Sequence, residues 1–249
     1  MTKTVRIILT LSLLANLAIV YVAYKALEYR AHINEFLDKY TWVVEEFGRR
    51  TVYADTNQSL ASDTTVPNRI VFLGTQVTRN WDLAKSFPTR EVINRGVDQQ
   101  RVAGFLLRFQ PDVIRLGPEA VVIEVSSYNF RPNSSIAEVC DYVASLADMA
   151  TARGVVPVLC TVIPPTSDFT VFEHETYRVA DSVAVYNHWL RERAAIDGWP
   201  LADIGALVAD STGYLNPELA STHVDLNNRG YSMVTDEVAR VLDENLKEK

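Results

Sequence analysis

Residues 70–74 read Ile-Val-Phe-Leu-Gly, an uninterrupted apolar run that ends in a glycine. A strand without polar alternation is typical of a parallel sheet whose two faces are both covered, so the run predicts a buried strand. Further apolar runs follow, separated by helical patterns. The predicted strands are Arg69–Leu73, Val92–Asn94, Ala120–Val125, Val155–Val162 and Leu201–Ile204.

Apolar residues recur at spacings of three and four between these strands, which indicates amphipathic helices. Strands that alternate with helices are the signature of a parallel sheet with helices on both faces. The sequence therefore predicts a three-layer α/β/α domain with a flavodoxin-like parallel sheet over residues 68–249. The predicted helices are Gln100–Phe109, Ile136–Arg153, Ser182–Asp197 and Asn228–Lys247.

The amino terminus carries a second strong pattern, because Lys3 and Arg6 precede eighteen residues without a charge, 7–24. A helix of that length rises roughly 27 Å, enough to cross the hydrocarbon core of a bilayer. A cleaved signal peptide has a similar start, but this run is longer than a usual signal core and lacks a cleavage site of small residues before Lys25. We expect a single-pass anchor in the lipid bilayer, with residues 1–6 in the cytoplasm and the domain on the periplasmic side.

Residues 25–49 keep a helical rhythm and predict a juxtamembrane amphipathic helix. Its apolar stripe must meet the domain, a sister chain or another subunit. About twenty residues hold too few heptads for a coiled-coil seam. The polar segment 50–67, which ends at Pro67, indicates a linker. The expected partner contacts are Ile33, Phe36, Leu37, Tyr40, Val43, Val44 and Phe47.

The composition excludes several classes of protein. Apolar residues make up 48% and charged residues 22% of the chain, as in globular proteins. A net charge of −7 without a basic cluster argues against binding to nucleic acid. Cys140 and Cys160 lie in apolar patterns, which favours buried thiols over a disulfide. His223 and Asp225 would need a further ligand to hold a metal, so we expect neither a metal nor a cofactor.

Four strings, in chain order, resemble the sequence blocks of the SGNH (GDSL) hydrolases over roughly residues 68–246. This resemblance implies an SGNH-hydrolase-like fold. In that family a serine attacks an ester carbonyl, a histidine takes its proton, and an aspartate three residues before the histidine orients it. The serine amide, a glycine and an asparagine stabilise the oxyanion. The matching strings are Ile70–Gly74, Val92–Val97, Val121–Ile123 and Asn227–Tyr231.

The resemblance also implies that the family's catalytic positions hold other residues here. An amide stands at the serine position and cannot attack a carbonyl. A carboxylate, with an ordinary pKa of about 4, stands where the family uses a histidine with a pKa of about 6.5, so the general base is lost. These changes predict a pseudoenzyme. The degenerate positions are Thr75 and Gln76 in the first block, Gln99 (glycine) in the second, Tyr128 (asparagine) and Asn129 in the third, and Thr222 (aspartate) and Asp225 (histidine) in the last.

Three functions stay open at this point. The leading hypothesis is a non-catalytic accessory subunit or scaffold of an integral-membrane protein complex. One alternative is a module that binds a glycan or an acyl group in the former cleft, and another is an atypical esterase or acyltransferase. The last would use unconventional residues; one route has His223 act on the Thr75 hydroxyl, with both displaced from the family geometry. Aromatic residues after Pro165 would fill the cleft or contact a partner, namely Phe169, Phe172 and Tyr177.

Overall fold

The computed structural model describes residues 2–45, 47–63, 67–132, 134–170 and 178–246, without the side chains of residues 38, 39 and 41–45. The chain forms two compact units, 1–47 and 48–249. The first unit is a long helix, α1 (Lys3–Glu45). Its segment Lys3–Leu37 is long and apolar enough to cross a membrane, and none of its most apolar window is buried.

The predicted anchor and juxtamembrane helix are thus one continuous helix in the described chain. Stripe residues Ile33, Phe36, Leu37, Tyr40 and Phe47 are all exposed. The side chains of Val43 and Val44 lie outside the described residues.

The second unit contains a five-stranded parallel sheet in the order β2-β1-β3-β4-β5. This is the flavodoxin-like order, as predicted. The fifth strand is shorter than predicted because Ile204 already begins a helix. The strands are β1 (Ile70–Gly74), β2 (Val92–Gly96), β3 (Ala120–Ile123), β4 (Val156–Cys160) and β5 (Leu201–Ala202).

All four predicted helices are present, with boundaries shifted by a few residues, and short elements lie between them. A two-stranded antiparallel hairpin precedes the last helix and consists of β6 (Ala220–Thr222) and β7 (Asp225–Leu226). The helices are α2 (Ala54–Ser62), α3 (Gln76–Asn80), α4 (Leu83–Ser86), α5 (Val102–Asp112), α6 (Ile136–Thr151), α7 (Val179–Asp197), α8 (Ile204–Val208) and α9 (Asn228–Asn245).

The core lies on both faces of the sheet because side chains alternate along each strand. Val71 and Leu73 point to one face and pack into the cluster that includes residues of α5, α6 and α7. Ile70 and Phe72 point to the other face and pack with residues of α8 and α9. Both cysteine thiols are free and buried in this core.

The segment predicted as a linker, 50–67, contains α2, which is bound to the domain by buried hydrogen bonds. Asn57 donates to Asp112 at 2.6 Å and accepts two hydrogen bonds from Arg95. Asp112 in turn accepts from Arg108 at 2.9 Å, and both side chains are fully buried. The segment is therefore a helix held to the domain through Asn57, and the other polar residues of α2 lie on its exposed side.

Candidate functional site

The loops that follow β1, β2 and β3 meet at the carboxyl edge of the sheet, where ligands bind in open α/β folds. Thr75 and Gln76 follow β1 directly, and the turn Ser127–Asn129 follows β3. The β6–β7 hairpin joins this edge, since Asn80 at the end of α3 donates to Asp225. The structure therefore assembles these family positions in one region.

Glu124 is a buried carboxyl group at the centre of this edge. It accepts hydrogen bonds from the Thr75 amide at 2.7 Å, the Thr75 hydroxyl at 2.9 Å and the Thr78 hydroxyl at 3.0 Å. Burial raises the pKa of Glu124, and the hydrogen bonds from the two threonines oppose that rise. Sequence reasoning missed this residue, although it is the one charge in the apolar run 120–125.

Gly74 makes room for this carboxyl group. A Cβ atom at Gly74 would lie 1.9 Å from Thr78 Oγ1 and 2.5 Å from Glu124 Oε2, closer than any real contact. The glycine that ends the first apolar run is therefore required by the local packing.

Thr75 has no freedom to act as a nucleophile. Its side chain is fully buried and its hydroxyl group donates to Glu124. His223, the base that such a route requires, contacts other residues: its Nδ1 lies 3.0 Å from Thr166 Oγ1 and 3.2 Å from Asp168 Oδ1. The structure gives no support to a Thr75–His223 pair.

Gln76, which the sequence resemblance assigns to the family's serine position, is the first residue of α3. Its side chain is 9% exposed, and neither the amide nitrogen nor the amide oxygen has a hydrogen-bond partner among the described residues. The buried hydroxyl of Ser127 also has no hydrogen-bond partner among the described residues. Buried polar groups normally find partners, so these atoms mark where a water molecule or ligand would bind.

Asp225, which the sequence resemblance assigns to the family's histidine position, is held in place by its neighbours. One carboxylate oxygen accepts from Asn80 Nδ2 at 2.6 Å, and the other accepts from the Tyr231 hydroxyl at 2.7 Å and from the Leu226 amide at 2.9 Å. Burial and the adjacent Asp225 charge raise the pKa of Tyr231. Thr222, at the position of the orienting aspartate, is exposed and accepts from the Val224 amide.

Asn129 and Tyr128, in the third of the matching sequence blocks, also contact their immediate neighbours. Asn129 Oδ1 accepts from the Val102 amide at 2.8 Å at the start of α5, and its Nδ2 donates to the Ser126 carbonyl. Asn129 is therefore held at the start of α5 and uses one of its two amide protons within its own turn. The half-buried Tyr128 ring lies 4.6 Å below the Arg131 guanidinium.

Gln99, which the sequence resemblance assigns to the family's glycine position, has a φ of +55°. This is the left-handed region that glycine enters without a steric penalty. The backbone has the glycine-type conformation although the residue is not glycine. The side chain of Gln99 is exposed.

An aromatic cluster borders the site. Phe169 packs edge-on against Tyr128, with ring centroids 6.2 Å apart, and lies 6.3 Å from the ring of His223. The hydrogen bond from Thr166, together with the neighbouring His223, lowers the pKa of Asp168. Phe172 and Tyr177, which the sequence also placed here, lie outside the described residues.

A polar cleft of about 730 Å³ lies beside Asp225, between the α3–α4 region and α9. Amide, hydroxyl and carboxylate groups line most of it. In the part of the chain that the structure describes, no group of three or more His, Cys, Asp or Glu side chains is placed to hold a metal ion. The residues that line the cleft include Asn80, Asp82, Lys85, Ser221, Asn228, Tyr231 and Ser232.

These features define a three-layer α/β/α domain of the SGNH-hydrolase type. Residues 59–233 match the GDSL-like Lipase/Acylhydrolase family, and the chain belongs to that family. No curated protein matches the sequence.

Solved structures share the fold. A GDSL-like lipase from Bacteroides thetaiotaomicron superposes with a TM-score of 0.72 at 24% identity, covering 81% of this chain and 100% of that one. The lipase/acylhydrolase from Enterococcus faecalis gives 0.55 at 16% identity, with coverages of 73% and 98%. Axe2, an acetylxylan esterase from Geobacillus stearothermophilus, gives 0.57 at 15% identity, with coverages of 71% and 94%.

Proposed function

We propose that this protein is a non-hydrolytic, membrane-anchored member of its family that serves as an accessory or structural subunit of an integral-membrane protein complex. The observation that carries the proposal is the buried Gln76 amide at the nucleophile position. Asp225 supports it, because a carboxylate bound by Asn80 and Tyr231 is not a mobile general base. A domain of this family that does not hydrolyse esters must have another function at the membrane.

In this proposal the apolar helix α1 anchors the protein and contacts its partners. Residues 7–24 serve as the anchor. A short basic leader before an uncleaved apolar run behaves as a signal anchor, which keeps the amino terminus in the cytoplasm and places the domain on the periplasmic side. The exposed stripe beyond the anchor then contacts other subunits. Proteins that expose contiguous apolar surface commonly use it for association.

Two measurements test the proposal. The full-length chain in detergent should hydrolyse p-nitrophenyl acetate no faster than the Asp225→Ala variant. Turnover that disappears in that variant would establish an atypical esterase instead. Gentle extraction of the native membrane, followed by size separation and mass spectrometry, should show stoichiometric co-migration with an integral-membrane complex. Migration as a lone chain would refute the subunit role.

A second candidate function is a ligand-binding module, favoured by the unpartnered polar atoms of Gln76 and Ser127. A glycan or an acyl group in the former cleft would supply the missing hydrogen bonds without being cleaved. Thermal-shift titration with acetylated oligosaccharides and short fatty acids tests it. The matched control is Gln76→Met, which keeps the side-chain volume and removes the amide. A shift that survives this substitution places the ligand elsewhere.

A further inference from the structure

Residues 48–62, which we call the strap, contribute little apolar surface to the domain. Within this segment, all of which the structure describes, only Gly48 and Asn57 are buried. Leu60 is the one strap side chain that packs against the core cluster. Residues 48–58 precede the part of the chain that matches the family. The strap is therefore largely an addition to the family-type region, and hydrogen bonds supply most of its attachment.

The strap binds the carboxyl edge of the sheet at two points. The Tyr53 hydroxyl donates to the Gly96 carbonyl, at the end of β2, at 2.5 Å. The Gly48 carbonyl accepts from Gln100 Nε2, in the loop after β2, at 2.9 Å. Both contacts join the strap to the edge that carries the candidate site.

The contact at Gly96 leads directly to α3, the helix that begins with Gln76. A Cβ atom at Gly96 would lie 2.2 Å from the Arg79 amide nitrogen and 2.8 Å from the Thr75 carbonyl oxygen. The Gly96 backbone therefore packs against the backbone of α3 without space between them. Because the strap's tyrosine holds Gly96, it also limits the movement of α3.

The contact at Gln100 leads to the loops on both sides of α3. Gln100 Oε1 accepts from Arg108 Nε at 2.6 Å, and Arg108 Nη2 donates to the Gly74 carbonyl at 3.3 Å. The Val102 amide, two residues after Gln100, donates to Asn129 in the turn after β3. Coupling between distant parts of a protein is carried by such contiguous contacts. Both segments that hold unpartnered polar atoms are thus connected to the strap.

The strap has the features of a segment that opens locally. Segments with few buried apolar contacts open at a lower free energy than the whole domain. Arg108 and Asp112 keep each other as partners without the strap, because their 2.9 Å bond lies within α5. Arg49 and Gln99, on the two sides of the Gly48–Gln100 contact, have φ values of +48° and +55°. This conformation is disfavoured for residues with a Cβ atom, so release of the strap relieves backbone strain.

We infer that the strap is a latch on the candidate site. While it is bound, it holds α3 and the loop 97–101 in the positions described, and its local release opens the carboxyl edge of the sheet. The amide of Gln76 and the hydroxyl of Ser127 are buried without partners, so a ligand reaches them only through such an opening. The inference goes beyond the subunit role, because it concerns the domain alone and holds whether or not α1 contacts other subunits.

Hydrogen exchange of the full-length chain in detergent tests the inference. Leu60→Ala removes the strap's apolar contact and should raise exchange about tenfold at 48–62, 76–80 and 97–101, which corresponds to about 1.4 kcal/mol. The matched control is Leu201→Ala, which truncates a partly buried leucine of the same core cluster on β5, at the other side of the sheet. This control should leave exchange in those three segments at the wild-type level. Tyr53→Phe, which keeps the ring and removes the hydroxyl contact, should also raise exchange at 76–80.

Thiol labelling shows whether the site itself opens. The native thiols of Cys140 and Cys160 are buried, so Ser127→Cys adds a thiol that reports on the site. Adding Leu60→Ala should speed its reaction with a soluble disulfide reagent about tenfold. Exchange that rises only within 48–62, or labelling that does not become faster, would show that the strap and the site are independent. Exchange that rises equally throughout the domain would show that only global unfolding releases the strap. Any of these results overturns the inference.

Discussion

The ion pair between Arg108 and Asp112 is the most buried pair of charges in the described part of the chain, with both side chains fully buried. Asp112→Ala would leave the Arg108 guanidinium in the core with only Gln100 and the Gly74 carbonyl as acceptors. It would also remove the acceptor for Asn57. Removing one partner of a buried pair typically lowers the free energy of unfolding by about 3–5 kcal/mol, and we expect a loss in that range.

The chain contains a matched control. Arg240 and Glu244 form an ion pair with the same spacing of four residues, at 2.7 Å, but on the exposed face of α9. Glu244→Ala should lower the free energy of unfolding by no more than about 0.5 kcal/mol. Guanidinium titration of both full-length variants in detergent, followed by tryptophan fluorescence, compares them. If Asp112→Ala loses less than about 1 kcal/mol, the buried network does not hold α2 as described.

Three further substitutions test the site. The wild-type protein should lose stability as pH rises above about 4.5, because a carboxyl group with a raised pKa stabilises the fold only while it is protonated. The Glu124→Gln variant lacks this titration, so its melting temperature should rise relative to that of the wild type between pH 4 and pH 8. Gln76→Ser should leave hydrolysis of p-nitrophenyl acetate at the wild-type level, since no base faces the new hydroxyl. Gly96→Ala should lower the free energy of unfolding by about 1–3 kcal/mol or more in guanidinium titration, because its Cβ would lie 2.2 Å from the backbone nitrogen of Arg79.

The apolar runs were enough to predict the sheet, because a strand that is buried on both faces is restricted almost entirely to apolar residues. The runs around Val71, Val121 and Val158 each became a strand of the sheet. Gly74 and Gly230, which belong to the matching strings, lie where close packing allows few other residues.

The polar contacts could not be predicted because they join residues far apart in the chain. Asn57 meets Asp112 across 55 positions, Thr75 meets Glu124 across 49, and Asn80 meets Asp225 across 145. A polar segment such as 50–67 reads as a linker until its partners are known. A single glutamate in an apolar run likewise gives no indication of the two threonines that bind it.

The contact between Thr75 and Glu124 limits which residues position 75 can hold. The family motif has an aspartate at position 75, and the Thr75 hydroxyl lies 2.9 Å from both oxygens of Glu124. Restoring that aspartate would place two carboxylates against each other in the core, where both cannot be ionised without a large penalty. Glu124 would have to change first, or at the same time. An aspartate at position 75 is therefore compatible with this fold only together with a neutral residue at position 124.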